Sequence, residues 1–486
     1  MEEQLFEARK NSFFHHVLQK QTKTREEYAK KLRKTHKANL IQFKRIRNSR
    51  VVEYETRLNT FKSIISAANT LLTSKDSIYI AIKYIRQCTL YNNETSTEEI
   101  LRLNIVPSII GLLKSEERVA LEAAWVLANI AADKGAQKIY ECEGHIEIMS
   151  IITYASVELQ ESCLWALGNL AGDSIFLRDK LLNMGIIELI MKLLNKDKIK
   201  LSLLRTICWT SANLCRGTPL ADITILSPYI DLVCEFLTDI KDQEVLNHSV
   251  YSLLYVAKCS YNKIVTIEGK LIKMLDDENL SEETKKLVLK IINRIISQMS
   301  KTALIELISV LKELIKSNTS TLRLCFSIIG NIATEGESIH IESIIENKLI
   351  EIMCNSLINH STDLHSQFTL ARTFTAICGG ASERQIESIV NAGGIEVLVN
   401  ILKGKNIELI MEGLFGIEEI LIAGEVQSEY KDGINEYAVK FDSIGGLRVL
   451  ELLILHSNSK VSKKSQDILS EYFYFQEHQY NRTNKE

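Results

Sequence analysis

Residues 121–133 read LEAAWVLANIAAD, and the pattern returns twice, as ESCLWALGNLAGD at 161–173 and as LLRTICWTSANLCRG at 203–217. The three segments align without gaps on Trp125, Trp165 and Trp209, and in each an asparagine follows four residues later: Asn129, Asn169 and Asn213. Residues four apart lie about one helical turn apart, so each Trp and its Asn share a helix face. A weaker copy, HSVYSLLYVAK at 248–258, puts Tyr251 where the Trp would fall. Further copies run through LVLKIINRIIS, FSIIGNIATEG, ARTFTAICGG and GLFGIEEILIAGE.

Short breakers separate these helices: Glu143-Gly144, Met184-Gly185, Ala392-Gly393-Gly394 and Ser443-Ile444-Gly445-Gly446. An apolar run such as IIELIMKLL or IEVLVNILK follows each breaker. Every repeat therefore reads as two or three helices with glycine at a helix end. A period of about 40 residues belongs to the HEAT and armadillo class, whose units cannot bury their apolar faces alone and must stack. The expected fold is all-α: a right-handed superhelical solenoid of about ten armadillo repeats over residues 63–476. A basic arm at 1–62 precedes it and a flexible tail at 477–486 follows.

Composition agrees with a single long solenoid. A chain of 486 residues would ordinarily split into several domains, yet its prolines are only Pro107, Pro219 and Pro228, and no Pro/Gly/Ser-rich linker divides the body. Apolar residues make up 46% of the chain and recur at helical spacing, so the core is large and helical. No apolar stretch approaches the roughly 18 residues needed to span a bilayer, and Met1-Glu2-Glu3-Gln4 lacks the basic-then-apolar pattern of a signal peptide. The expected location is cytoplasm and nucleus. Ten scattered cysteines, with no C-x-x-C pair, read as buried free thiols rather than disulfides or a zinc site.

Charge is uneven along the chain. Residues 1–62 hold 16 Lys+Arg against 7 Asp+Glu, a surplus of +9. With chain totals of 58 and 61, this leaves 42 against 54, or −12, for the rest. An acidic body favours a cationic ligand at long range.

The repeated pairs supply the chemistry. Asn carries an amide donor and a carbonyl acceptor, so a row of them holds the main chain of an extended peptide whatever its sequence. Parallel indole faces would wall in the aliphatic stem of Lys or Arg, adding a cation–π attraction of about 0.5–2 kcal/mol per contact. Asp173, four residues beyond Asn169, is placed to take a lysine ammonium, although Gly172-Asp173-Ser174 equally suits a helix end. A lone Trp in a Leu-rich helix is usually core, and a lone Asn often caps a helix. Three aligned pairs at a fixed period outweigh that reading, because the core positions of these copies hold Leu, Ile, Val and Ala. The candidate peptide-binding residues are Trp125, Asn129, Trp165, Asn169, Asp173, Trp209, Asn213 and Tyr251.

EAAWVLANIA, WALGNLAGDS and RTICWTSANLCRG closely resemble the second to fourth repeats of importin-α, the adaptor family that carries nuclear-localisation-signal cargo. INEYAVKFDSIGGLRVLELL with KVSKKSQDILSEYF resembles that family's final repeat, and KKLRKTHKANLIQFKRIRN resembles its importin-β-binding arm. The resemblance makes the Trp/Asn ladder the major cargo site and gives Lys31, Arg33, Lys34, Lys37, Lys44, Arg45 and Arg47 to the arm, with importin-β and an export receptor as implied partners. In the family the next repeat often carries Trp with Tyr, and here Tyr251 and Tyr255 stand there. The minor site needs further Trp/Asn pairs, whereas this sequence aligns Ser327/Asn331 and Ala371/Thr375. Lys138 and Lys258 stand where small polar or acidic residues are expected. The resemblance also implies that Lys44-Arg45-Ile46-Arg47 occupies the groove as an internal pseudo-ligand.

The alternative is an armadillo scaffold of signalling or adhesion that holds acidic or apolar segments, but such scaffolds generally line the groove with Lys and Arg. A nucleic-acid tether finds no stacking set beside Tyr28 and Phe43. No phosphate-binding glycine loop, metal-ligand cluster or nucleophile motif is present, so neither an enzyme nor a cofactor or metal is expected.

Overall fold

The computed structural model describes residues 64–73, 77–91, 93–195, 199–317, 321–335, 337–358, 364–428 and 434–474. The basic arm at 1–62 and the tail at 477–486 lie outside them. Every regular element among the described residues is a helix, and none of these helices is long and apolar enough to cross a membrane. The chain divides into two compact units, Met1–Leu214 and Cys215–Glu486.

The helices that carry the aligned segments are here α1 to α9. In the first unit these are α1 (Ile78–Tyr91), α2 (Glu117–Ala131), α3 (Val157–Asp173) and α4 (Leu201–Leu214). In the second they are α5 (Gln243–Val256), α6 (Glu282–Ile295), α7 (Leu322–Glu335), α8 (Leu364–Gly380) and α9 (Ile407–Ser428). Within each unit the labelled helices pack against their neighbours in chain order. Shorter helices, such as Ile175–Asn183 and Ile186–Leu194, fill the space between one labelled helix and the next.

Local sequence sets the helix boundaries. Ser156, Ser174, Asp242 and Ser281 each accept a backbone N–H from three residues on, satisfying a donor that the first turn would leave unpaired. The breakers turn the chain through left-handed backbone at Gly185, Gly393 and Gly445, as the sequence pattern anticipated. At the first breaker the left-handed residue is Glu143 instead, with φ of 59°. Gly144 serves packing there, because a Cβ would lie 2.8 Å from the side chains of Ile110 and Ile139.

The interior is aliphatic. Ile82, Ile85, Ala123, Leu127, Leu164, Leu167 and Ile207 are fully buried in the first unit, as are Val250, Leu289, Ile292, Ile329, Phe374 and Ile417 in the second. Cys163, Cys208, Cys215, Cys325, Cys354 and Cys378 share this interior as free thiols. Burial pushes the Cys163 thiol up to about 12, so it stays neutral at physiological pH.

Candidate functional site

The three Trp/Asn pairs all fall in the first unit, on consecutive packed helices α2, α3 and α4. Each pair is one rung. The rungs are joined through their asparagines and neighbouring groups. Asn129 Nδ2 donates to Thr89 Oγ1 on α1 at 2.9 Å, and Asn169 Nδ2 donates to the carbonyl of Ala128 on α2 at 2.9 Å. Asn213 Nδ2 donates to the carbonyl of Trp209 in its own helix at 3.2 Å. These bonds commit one amide hydrogen of each Asn to the scaffold, fixing the amide's orientation. They do not use the second hydrogen or the carbonyl oxygen, the two groups that a peptide main chain would engage.

The tryptophans are seated more deeply than spacing alone suggests. Trp165 retains 6% of its surface and Trp209 2%, while Trp125 is half-buried. Trp125 and Trp165 meet edge to face, with centroids 4.8 Å apart and planes at 85°. This overturns the expected parallel walls: a methylene stem between two ring faces needs about 7–8 Å, twice a 3.5–4.0 Å carbon contact. No lysine stem passes between these two indoles. A cation would instead lie over an indole face directed to solvent, which the partial exposure of Trp125 allows.

Two residues that sequence reasoning passed over position the third rung. A Cβ at Gly168 would sit 2.4 Å from Cζ3 of Trp209, and one at Gly172 would sit 3.0 Å from Oδ1 of Asn213. Glycine at both places lets α3 and α4 approach with the Trp209 ring lying across Gly168. The signal was present, since glycines three and seven residues beyond Trp165 share the indole's side of the helix. Thr210 Oγ1 closes the same contact by donating to the carbonyl of Leu164 at 3.0 Å.

Asp173 is the last residue of α3 and is exposed. Tyr251, with 6% of its surface exposed, and the half-buried Tyr255 belong to α5 in the second unit. Lys258 follows that helix, its ammonium 5.7 Å from the Tyr255 ring centroid. Lys138 lies on a separate short helix, Ala136–Glu141.

The register of the remaining rungs can be read from hydrogen bonds. Arg294 Nη1 donates to the carbonyl of Leu254, which precedes Tyr255 as Ala128 precedes Asn129. Arg294 thus makes the bond that Asn169 makes to Ala128 and holds an Asn position, which puts Lys290 at the Trp position of α6. On α7, Asn331 Nδ2 donates to Asn293 Oδ1 at 2.8 Å, so Ser327/Asn331 keeps its expected place.

On α8 the expected alignment is one residue out. Thr373 Oγ1 donates to the carbonyl of Phe326 at 2.7 Å, as Thr210 does to Leu164. A Cβ at Gly330 would meet Thr373 Oγ1 at 3.0 Å, the distance that separates one at Gly168 from Thr210 Oγ1. Arg372 and Ala376 therefore occupy the rung on α8. Ala371 is buried, and Thr375 turns toward α9, donating to the carbonyl of Glu412 at 3.0 Å. The sequence pattern missed this because small residues fill 371, 375 and 376 alike, leaving no bulky marker to fix the frame.

A family model described as an atypical Arm repeat matches residues 435–485. Importin subunit alpha-1b of Oryza sativa subsp. japonica is 28% identical over 423 residues, covering 77% of this chain and 72% of that one. Importin subunit alpha-5 of Arabidopsis thaliana is 27% identical over 476 residues, covering 92% and 89%. Among solved structures, the crystal structure of an engineered protein matches with a TM-score of 0.70 at 23% identity, covering 84% of this chain and 98% of that one. That last likeness is one of fold, an all-α solenoid of stacked helices.

Proposed function

We propose that this chain, a divergent member of the importin α family, is a nuclear import adaptor whose first unit binds lysine- and arginine-rich nuclear localisation signals. Three Trp/Asn pairs in register on α2, α3 and α4 carry this reading. Adjacent packed helices lie about 8–10 Å apart and an extended chain rises about 3.3 Å per residue, so one rung meets about every third ligand residue. The asparagine amides hold the ligand main chain, the solvent-facing side of the Trp125 indole attracts a cation, and the exposed Asp173 pairs with an ammonium. The role is binding rather than catalysis.

The arm at 1–62 completes the adaptor by binding importin-β, and the protein passes between cytoplasm and nucleus, returning on an export receptor. With importin-β absent, Lys44-Arg45-Ile46-Arg47 competes with cargo for the ladder. Tethering gives such a segment an effective concentration that reaches about the millimolar range for short flexible linkers, enough to exclude weak cargo. Importin-β and cargo then favour each other's binding through removal of the arm.

The test is fluorescence anisotropy of a labelled lysine-rich peptide on the full chain and on a variant lacking residues 1–62, with importin-β pull-down on both. Deletion should tighten peptide binding by about tenfold or more and abolish the pull-down. Unchanged peptide affinity would sink the autoinhibition. Lack of peptide binding by both proteins would sink the cargo site.

A further inference from the structure

The helix before the first rung, α1, carries no Trp and no Asn, yet it grips that rung on both sides of the indole. Glu122 stands three residues before Trp125 and Asn129 four after it, so the three share one face of α2. Arg86 of α1 forms an ion pair with the buried Glu122. Three residues further along α1, Thr89 Oγ1 accepts the Asn129 amide at 2.9 Å. Residues three apart are neighbours on a helix, so both contacts leave from one side of α1.

The Thr89 hydroxyl decides how the Asn129 amide is turned. Thr89 is fully buried, and its hydroxyl donates to the carbonyl of Arg86 at 2.8 Å. A hydroxyl has one hydrogen, so toward Asn129 the oxygen serves as an acceptor. An acceptor at that place takes the NH2 end of the amide and turns the amide oxygen away from α1. The other two rungs are held differently. Asn169 donates to the backbone carbonyl of Ala128 and Asn213 to that of Trp209, acceptors that a side-chain substitution at those positions leaves in place. Of the three ladder asparagines, Asn129 alone takes its orientation from another side chain.

We infer that Thr89 is a positioning residue of the peptide site: its hydroxyl sets the Asn129 amide so that the second hydrogen and the oxygen meet the ligand main chain. This inference rests on the cargo reading of the first unit and brings α1 into that site. Arg86 supports the arrangement twice, since its carbonyl takes the Thr89 hydrogen and its guanidinium ties α1 to Glu122. Valine at 89 would keep nearly the same shape and offer no acceptor. The buried amide hydrogen would then face a methyl group, and the amide would turn to recover a partner, taking its ligand-facing groups with it. Serine at 89 keeps the acceptor.

The experiment is anisotropy of a labelled lysine-rich peptide on the full chain, with excess importin-β added to draw the arm from the ladder. Thr89→Val should weaken the peptide about fivefold, and Thr89→Ser should stay within about twofold of the unaltered chain. The fivefold loss should be the same at about 50 and about 300 mM salt, because no charge is removed. In an Asn129→Ala background, Thr89→Val should cost less than about twofold, since a residue that acts through Asn129 has nothing left to position. A role confined to packing α1 on α2 would instead give the same loss in both backgrounds. If the valine variant melts early, Thr89→Ala should still weaken the peptide about twofold to threefold. Unchanged affinity in a folded valine or alanine variant, equal losses with and without Asn129, or serine no better than valine would overturn the inference and leave the cargo reading standing. Failure of the unaltered chain to bind the peptide would overturn both.

Discussion

The two units share one helical repeat and one pattern of contacts between neighbouring repeats, yet the residues set on that pattern differ in kind. In the first unit Asn169 ties α3 to the Ala128 carbonyl, and in the second Arg294 makes the equivalent bond to Leu254. Thr210 reaches Leu164 in one unit as Thr373 reaches Phe326 in the other. The residue after that threonine's partner is Trp165 in the first case and Ser327 in the second, and the residue before the threonine is Trp209 or Arg372. The backbone contacts of a solenoid thus persist while its exposed chemistry is replaced, because stacking needs only apolar faces and a few satisfied polar groups.

The strongest way to break this contrast is to erase a rung. Trp165→Ala with Asn169→Ala should weaken a lysine-rich peptide by about 100-fold, equivalent to about 2.7 kcal/mol, measured by anisotropy. Replacing Ser327 and Asn331 by alanine should leave that affinity within about twofold. Equal losses would place the cationic-peptide site elsewhere. Because Trp165 is buried against Trp125, its truncation also costs about 3–5 kcal/mol of stability, so affinity must be read well below the lowered melting temperature.

A glycine exchange made in each unit sharpens the contrast at the level of packing. In Gly168→Ala the new methyl would lie 2.4 Å from the Trp209 ring, forcing the indole to move, whereas in Gly330→Ala it would meet Thr373 Oγ1 at 3.0 Å. Overpacking of this kind costs about 1–3 kcal/mol, offset in part by the better helix propensity of alanine. Thermal melting should show a clear loss for Gly168→Ala and little change for Gly330→Ala, with tryptophan emission shifted only in the first. Matching melts would mean that the Trp209 ring is not held against α3.

The smallest effect belongs to Asp173, exposed at the end of α3. Asp173→Asn should weaken the lysine-rich peptide by about two- to fivefold at low salt and hardly at all at high salt, the behaviour of an exposed ion pair worth about 0.5–1 kcal/mol. A loss that salt does not alter would make Asp173 a helix-end residue with no charge contact to the ligand.

Much of this was readable from residues 121–217. The Trp-x-x-x-Asn spacing fixed which side chains share a helix face, and the period fixed that successive faces stack, because both follow from helical geometry along the chain. The breakers gave helix ends at Gly185, Gly393 and Gly445 for the same local reason. Reading failed where no local rule applies. The α8 rung slipped by one residue because Ala371, Thr375 and Ala376 resemble one another, and the frame was set by a bond from Thr373 to a carbonyl 47 residues earlier. The cations at 290, 294 and 372 were visible as letters but not as members of one face.

What the sequence determined by itself was the all-helical repeat, its period and the identity of the first-unit rungs, because hydrophobic periodicity and side-chain direction are properties of a single helix. Tertiary structure alone decided the rest: the edge-to-face meeting of Trp125 and Trp165 in place of parallel walls, the use of Gly168 and Gly172 as room for the next helix, and the place of Arg294 and Arg372 on the second unit's ladder. Each of these depends on the separation and rotation between neighbouring helices, which packing of the whole interface sets and no single helix specifies.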